Sequence, residues 1–236
     1  MKNLKKQAVI IGNSDGIGLE LTKNLLEKEW EISGISRSSS PIQHNNYMHT
    51  VLNVEAGEYP GTLKELIAEN RDIEMVVYCA GTGKRLDLSN MDHEKKVFEV
   101  NLMGMIKTAE IIIPYFVNNK KGHFIGLSSQ ADEMLSEEAP SYHASKAGFS
   151  NYLEGLALAA AKQGVSVTNI RFGFVDTKMA KGDVKPFMMS ARKSVDHILK
   201  CIEKKPVRYT APKIVIPLVK FRRYLLRLNV LLKSLF

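Results

Sequence analysis

An apolar run, Ala8–Ile11, stops at Gly12-Asn13-Ser14-Asp15-Gly16-Ile17-Gly18, and an amphipathic helical pattern takes over inside that glycine spacing. Few chain arrangements satisfy such a junction. Glycine permits the sharp turn and removes the Cβ that would hold a second backbone or an anion at a distance. A helix starting there aims its free N–H groups and the positive end of its dipole at the same point. The junction is read as strand, phosphate-binding turn and helix, a G-x-x-x-G-x-G variant of the dinucleotide-binding spacing.

The rest of the chain repeats that alternation. Short apolar runs predict strands at Ala8–Ile11, Glu31–Ile35, Met48–Leu52, Glu74–Cys79, His123–Leu127, Ser166–Ile170 and Val207–Tyr209. Helical periodicity predicts helices at Gly16–Lys28, Gly61–Asn70, His93–Asn118, Ser141–Lys162 and Ser194–Lys204. Buried strands separated by amphipathic helices make a parallel sheet covered on both faces. The expectation is α/β: a single-domain Rossmann fold, doubly wound and mostly parallel with seven strands, over residues 1–213. Residues 214–236 form a basic amphipathic helical extension.

Charge is unevenly placed. Residues 1–184 carry 20 Lys/Arg and 23 Asp/Glu, net −3, whereas residues 185–236 carry 13 and 2, net +11. A nucleic-acid binder would spread its charge otherwise, and no nucleic-acid motif is present, so none is expected as a partner. Two distant cysteines, Cys79 and Cys201, suit a reducing compartment, and the cytoplasm is the default. The leading apolar run is too short for a signal peptide, and no stretch of roughly 18 uninterrupted apolar residues suggests a membrane span. Histidines 44, 49, 93, 123, 143 and 197 show no metal-ligand spacing, and no metal is assigned.

The second strand runs out at Ser36-Arg37-Ser38. A carboxylate there would favour free ribose hydroxyls, whereas an arginine can take a 2′-phosphate in charge-assisted contacts, so Arg37 favours NADP(H) over NAD(H). Asp15, at the same end of the loop, weighs the other way. Farther on, Tyr142 and Lys146 stand four apart and share a helix face, where an ammonium would lower a phenol pKa from its usual ~10 toward neutrality. Ser129 ends a predicted strand, the position at which open α/β sheets carry reactive groups.

Taken together and in order, these residues resemble the short-chain dehydrogenase/reductase family over about residues 7–180. The glycine motif matches at Gly12, Gly16 and Gly18, and the N-A-G element appears as Cys79-Ala80-Gly81 with Cys for Asn. The helix asparagine matches Asn101, the serine thirteen residues before the tyrosine is Ser129, and Y-x-x-x-K is Tyr142 and Lys146. The P-G element reads Phe172-Gly173, followed by Val175 and Thr177, with Phe for Pro. The resemblance implies an oxidoreductase interconverting a carbonyl and an alcohol with NADP(H). In it Tyr142 moves the proton, Lys146 holds the nicotinamide ribose and tunes Tyr142, Ser129 polarises the carbonyl, and Asn101 supports a water relay to Lys146. It further implies cofactor contacts from Gly12, Ser14, Asp15, Gly16, Ile17, Gly18, Arg37, Asn53, Val54, Ala80, Gly81, Tyr142, Lys146, Gly173, Val175 and Thr177. Asn53 stands where the family often has an Asp toward adenine. A homodimer or homotetramer is implied too. The rival readings are a cofactor-binding sensor without turnover and a membrane-associated interaction protein on the same fold.

Two segments bear on partners. Around Lys178–Ser190, Met179, Phe187, Met188 and Met189 suit a hydrophobic carbonyl substrate and equally suit ordinary packing. From residue 218 onward, Leu218, Phe221, Leu225, Leu228, Leu232 and Leu235 recur at steps of three and four, with Lys220, Arg223 and Arg227 toward the other side. Such a helix can dock on the body or a second subunit, lie peripherally on an anionic membrane, or cover the substrate pocket.

Overall fold

Side chains along β1, Gln7–Ile11, set the layering: Val9 and Ile11 are buried on one face of the sheet, Ala8 and Ile10 on the other. The computed structural model describes residues 5–70, 72–180 and 187–233. After β1 come α1 (Gly16–Glu27), β2 (Glu31–Ser36), β3 (Tyr47–Val51), α2 (Tyr59–Glu69) and β4 (Ile73–Tyr78). Next follow α3 (Asp92–Phe98), α4 (Gly104–Asn118), β5 (His123–Ser129), α5 (Pro140–Ala161) and β6 (Ser166–Phe172). The chain closes with the two-residue strands β7 (Val175–Asp176) and β8 (Met189–Ser190), then α6 (Ala191–Lys204), β9 (Arg208–Ala211) and α7 (Ile216–Lys233).

The main sheet has seven strands in the order β3-β2-β1-β4-β5-β6-β9, every pairing parallel. This is the doubly wound Rossmann arrangement expected from the sequence. One core lies between the sheet and α2, α4 and α5, with Leu63, Ile112, Phe116, Phe149 and Leu153 fully buried; the other lies beneath α1 and α6, with Leu21, Leu25 and Ile198. The small sheet β7–β8 was not legible, because two-residue strands have no periodicity to read.

Two local features place the site. The predicted helix from His93 to Asn118 is continuous but contains a π turn at Glu99–Met103, a wider coil of the kind that often marks functional positions. By length and composition the segment Asp92–Asn118 could cross a bilayer, yet Met105, Ala109, Ile112 and Phe116 are buried against the sheet. Secondly, α5 crosses β5 closely because Gly126 has no side chain. A Cβ there would collide with Leu153 and stand 2.8 Å from the Phe149 ring. Gly126→Ala should therefore overpack this layer and cost ~1–3 kcal/mol in urea unfolding, with an unchanged denaturant slope. A variant as stable as the parent would mean that α5 moves aside freely.

Candidate active site

Parallel strands deliver their C-terminal ends to one edge, and the sequence-selected residues gather there. The glycine turn is tight. A Cβ on Gly12 (φ +85°) would lie 2.5 Å from the Ala80 amide nitrogen, and one on Gly18 would strike the Gly12 carbonyl oxygen. Gly16 also has positive φ (+54°), and its Cβ would sit 3.2 Å from Thr177 Cγ2, which brings the Val175–Thr177 segment against the loop. Asp15 caps α1, its Oδ1 accepting from the Gly16 amide at 2.7 Å. The hydrogen bond from Lys178, with an Nζ–Oδ2 distance of 3.1 Å, holds the Asp15 carboxyl below the usual carboxylate range. The charge that weighed against a 2′-phosphate is thus countered by a lysine that sequence reading passed over.

Ser129, the last residue of β5, stands near Tyr142 in the first turn of α5, and its Oγ accepts from the Ala131 amide at 3.1 Å. The Tyr142 ring lies against Gly83, where a Cβ would come within 3.0 Å of Cδ2. Burial raises the Tyr142 pKa above the ordinary phenol value, opposed by the nearby Ser129 hydroxyl. This departs from the expected lowering by Lys146, and the reason is geometric. Lys146 Nζ donates to the Leu127 carbonyl oxygen at 2.9 Å and lies 4.8 Å from the Phe149 ring centroid. Burial in turn lowers the Lys146 pKa to about 8, with Asp132 acting in the opposite sense.

Asn101 occupies the π turn and is fully buried. Its Oδ1 accepts from the Thr82 amide at 2.7 Å, while Nδ2 donates to the Thr82 carbonyl at 2.9 Å and to Ser145 Oγ at 3.0 Å. Both amide hydrogens are taken, so the side chain clamps the loop after β4 onto α5. A Cβ placed on Gly81 would lie 3.6 Å from Asn101 Oδ1, 3.9 Å from Lys146 Nζ and 3.5 Å from Met179 Cε. Gly81 thus opens the space that these three groups share.

The remaining sequence-selected positions follow the C-terminal ends of β2, β3 and β6. Arg37 is exposed directly after β2. Asn53 Nδ2 donates to Glu55 Oε2 at 2.9 Å, and Val54 is buried against Gly104. The Gly173 amide donates to the Ala211 carbonyl, and Val175 pairs with Met189 in the small sheet. Phe187, Met188 and Met189 line a cavity of about 470 Å³ with His197, Tyr209 and Pro212. Among the described residues, no three His, Cys, Asp or Glu side chains converge as a metal site. The arrangement offers an anion cradle at the helix N-terminus and a hydroxyl–phenol pair beside a buried lysine. Glycines clear the backbone between them, which suits a dinucleotide lying along the strand ends.

A model of the family described as short chain dehydrogenase matches residues 6–186. The chain belongs to the short chain dehydrogenase family. Similar curated proteins include an uncharacterized oxidoreductase of Staphylococcus saprophyticus, 27% identical over 204 residues, covering 81% of this chain and 86% of that protein. A 3-oxoacyl-(acyl-carrier-protein) reductase of Vibrio cholerae is 26% identical over 185 residues, covering 75% and 76%. A short chain dehydrogenase of Burkholderia cenocepacia, solved in complex with NADP, shares the fold with a TM-score of 0.81 at 20% identity, covering 93% of each chain.

The family's departures in this chain are mild. The Cys79 thiol, in place of the usual asparagine, is pushed up to about 12 by burial, which disfavours its thiolate. Phe172, in place of proline, is a core residue. Sequence reading missed two polar supports. Asn13 is buried in the glycine turn and donates to the Tyr47 hydroxyl at 2.8 Å, filling the place where Gly34 has no side chain. Tyr47 in turn bonds His49 Nδ1 at 2.9 Å, and His49 Nε2 reaches the Ser38 carbonyl at 3.1 Å, tying the glycine turn to the Arg37–Ser38 bend. A glycine inside a strand was the available signal. The second support is Arg171, whose guanidinium bonds both Asp132 oxygens and Glu133 beneath Ser129, with the Arg171 and Asp132 side chains 5% and 2% exposed. Removing one partner strands a buried charge, so Arg171→Leu should cost ~3–5 kcal/mol in urea unfolding, and adding Asp132→Leu should recover much of it. A loss below about 1 kcal/mol in the single variant would sink that reading of the pair.

Proposed function

We propose that this chain is an NADP(H)-dependent oxidoreductase that interconverts a carbonyl and an alcohol, working as a reductase on a hydrophobic substrate. The observation that carries the proposal is the placing of Ser129 at the end of β5 near Tyr142 and the buried Lys146 of α5, at the strand-end edge that the glycine turn also faces. When bound, the nicotinamide supplies or accepts the hydride. Gly12, Ser14, Asp15, Gly16, Ile17 and Gly18 would hold the pyrophosphate, Arg37 the 2′-phosphate, and Asn53 and Val54 the adenine side. Ala80, Gly81 and Lys146 would hold the nicotinamide ribose, with Gly173, Val175 and Thr177 at the carboxamide.

The chain's own groups then have defined tasks. Ser129 donates to the carbonyl oxygen and draws negative charge onto it. Tyr142 gives its proton to that oxygen. Its raised pKa keeps the phenol protonated through neutral pH, which suits the reducing direction. Lys146 carries charge below about 8 and loses it as pH rises through that value. Asn101 fixes the loop carrying Gly81 and Gly83 against α5, and with it the ring position of Tyr142. A substrate with an apolar body is supported by Met179, whose Cε borders the space at Gly81 that Lys146 Nζ also faces. It also agrees with the names of relatives that reduce 3-oxoacyl chains.

Two outcomes are expected. Tyr142→Phe should lower NADPH-dependent carbonyl reduction by at least ~10²-fold while NADPH still raises the melting temperature, since the phenol moves a proton and the cradle lies elsewhere. Near-parental turnover in that variant would remove Tyr142 from the chemistry. Arg37→Ala should weaken NADPH binding by ~10–100-fold, the worth of a charge-assisted contact, with NADH binding unchanged. Equal losses for both cofactors, measured by parallel thermal-shift titrations, would assign Arg37 no part in phosphate recognition.

A further inference from the structure

The tail helix turns the wrong way for a docked core element. Along α7, the side chains against the body are Val219, which is buried, and Arg223, whose Nη1 stands 4.0 Å from Glu133 Oε2, with Ile216 and Leu226 partly covered on the same line. That line steps by three, four and three residues. The periodic apolar stripe lies roughly opposite: Leu218, Phe221, Leu225, Leu228 and Leu232 are 58%, 61%, 47%, 38% and 49% exposed. The sixth member, Leu235, lies outside the described residues. The stripe therefore neither packs on the domain nor covers the cavity near Pro212, from whose rim the chain passes into α7.

Its surroundings choose among possible occupants. α7 contains Lys220, Arg222, Arg223, Arg227 and Lys233, and no Asp or Glu occurs anywhere after Glu203. At 100° per residue, Arg222 and Lys233 fall roughly a quarter turn from the centre of the stripe, where long basic side chains can reach past an apolar face. A second copy of α7 laid on this face would bring cations against cations. An anionic lipid surface meets both needs, taking up the apolar side chains at the acyl boundary and pairing with the basic ones.

We propose that α7 attaches the protein peripherally to anionic membrane surfaces, with Leu218, Phe221, Leu225, Leu228 and Leu232 as the inserted face. This does not depend on the catalytic reading. Each basic residue held near such a surface contributes about fivefold to binding, which salt then screens.

The full-length protein should co-sediment with phosphatidylcholine vesicles containing about 30% phosphatidylserine, bind vesicles of phosphatidylcholine alone at least ~10-fold more weakly, and be released by ~0.5 M salt. Phe221→Glu with Leu225→Glu should reduce binding by at least ~10-fold at an unchanged melting temperature, because both side chains are exposed. Binding that ignores lipid charge, or no binding to either vesicle, overturns the proposal. So does a parental dimer that the double substitution converts to monomer in sedimentation velocity without vesicle binding by either form, which would assign the face to a second copy.

Discussion

The buried ion pair of Arg171 and Asp132 fixes the point on which the site depends. Arg171 is paired in register with Ser128, one residue before Ser129, and its guanidinium passes under the turn that follows β5 to reach Asp132 and Glu133. The same guanidinium reaches Thr210 of β9, while Asp132 accepts from Ser150 on α5. Three strands and the helix bearing Tyr142 and Lys146 are thus drawn to a single carboxylate. A charge pair so deprived of water is retained only when its remaining lone pairs and protons find partners, and here they do. Asp132 also reaches the reactive groups through space, favouring the neutral phenol of Tyr142 and the charged form of Lys146. One interaction therefore sets both the position of β5's end and part of the proton affinity beside it.

Against that fixed point the layers close by omission of side chains. Gly12 admits the Ala80 backbone, Gly34 admits Asn13, Gly126 admits Phe149 and Leu153, and Gly104 admits the Tyr78 hydroxyl. The last contact shows how a helix irregularity is held. Tyr78 Oη donates to the Val100 carbonyl at 2.6 Å, satisfying a group beside the π turn, and the next residue, Asn101, is thereby presented to Thr82. Each glycine removes a methyl-sized obstacle, and at Gly34 and Gly104 the polar group beside it then takes a partner that a bulkier residue would exclude.

Legibility followed the range of the interaction. β1, the glycine turn and α1 were readable because apolar period and glycine spacing are local, and the Tyr142–Lys146 pair was readable because one helix carries both. Arg171 and Asp132, 39 residues apart, carry no pattern that announces a bond. The Asn13–Tyr47–His49 relay crosses from the glycine turn to β3, and only Gly34 hinted that something must fill its place. The π turn escaped because Glu99–Met103 keeps helical composition while its hydrogen bonds shift by one residue. The direction of the Tyr142 shift was misjudged for a related reason: spacing shows that a lysine is near, not where its ammonium points. Here it turns to the Leu127 carbonyl, and burial prevails.

That orientation sets the Lys146 ammonium beside the space at Gly81. An ammonium has three donors, and among the described residues one acceptor, the Leu127 carbonyl, is supplied to Lys146. Its Nζ is buried, faces the space kept open by Gly81, and sits over an aromatic ring that stabilises positive charge without occupying a donor. Taking an ammonium out of water is unfavourable, and the lowered pKa of about 8 expresses that cost. A ligand bringing two adjacent oxygens into that space would accept from Lys146 and favour its charged form. A ribose diol brings such a pair, and Lys146 would then hold its proton most firmly when the cofactor is in place.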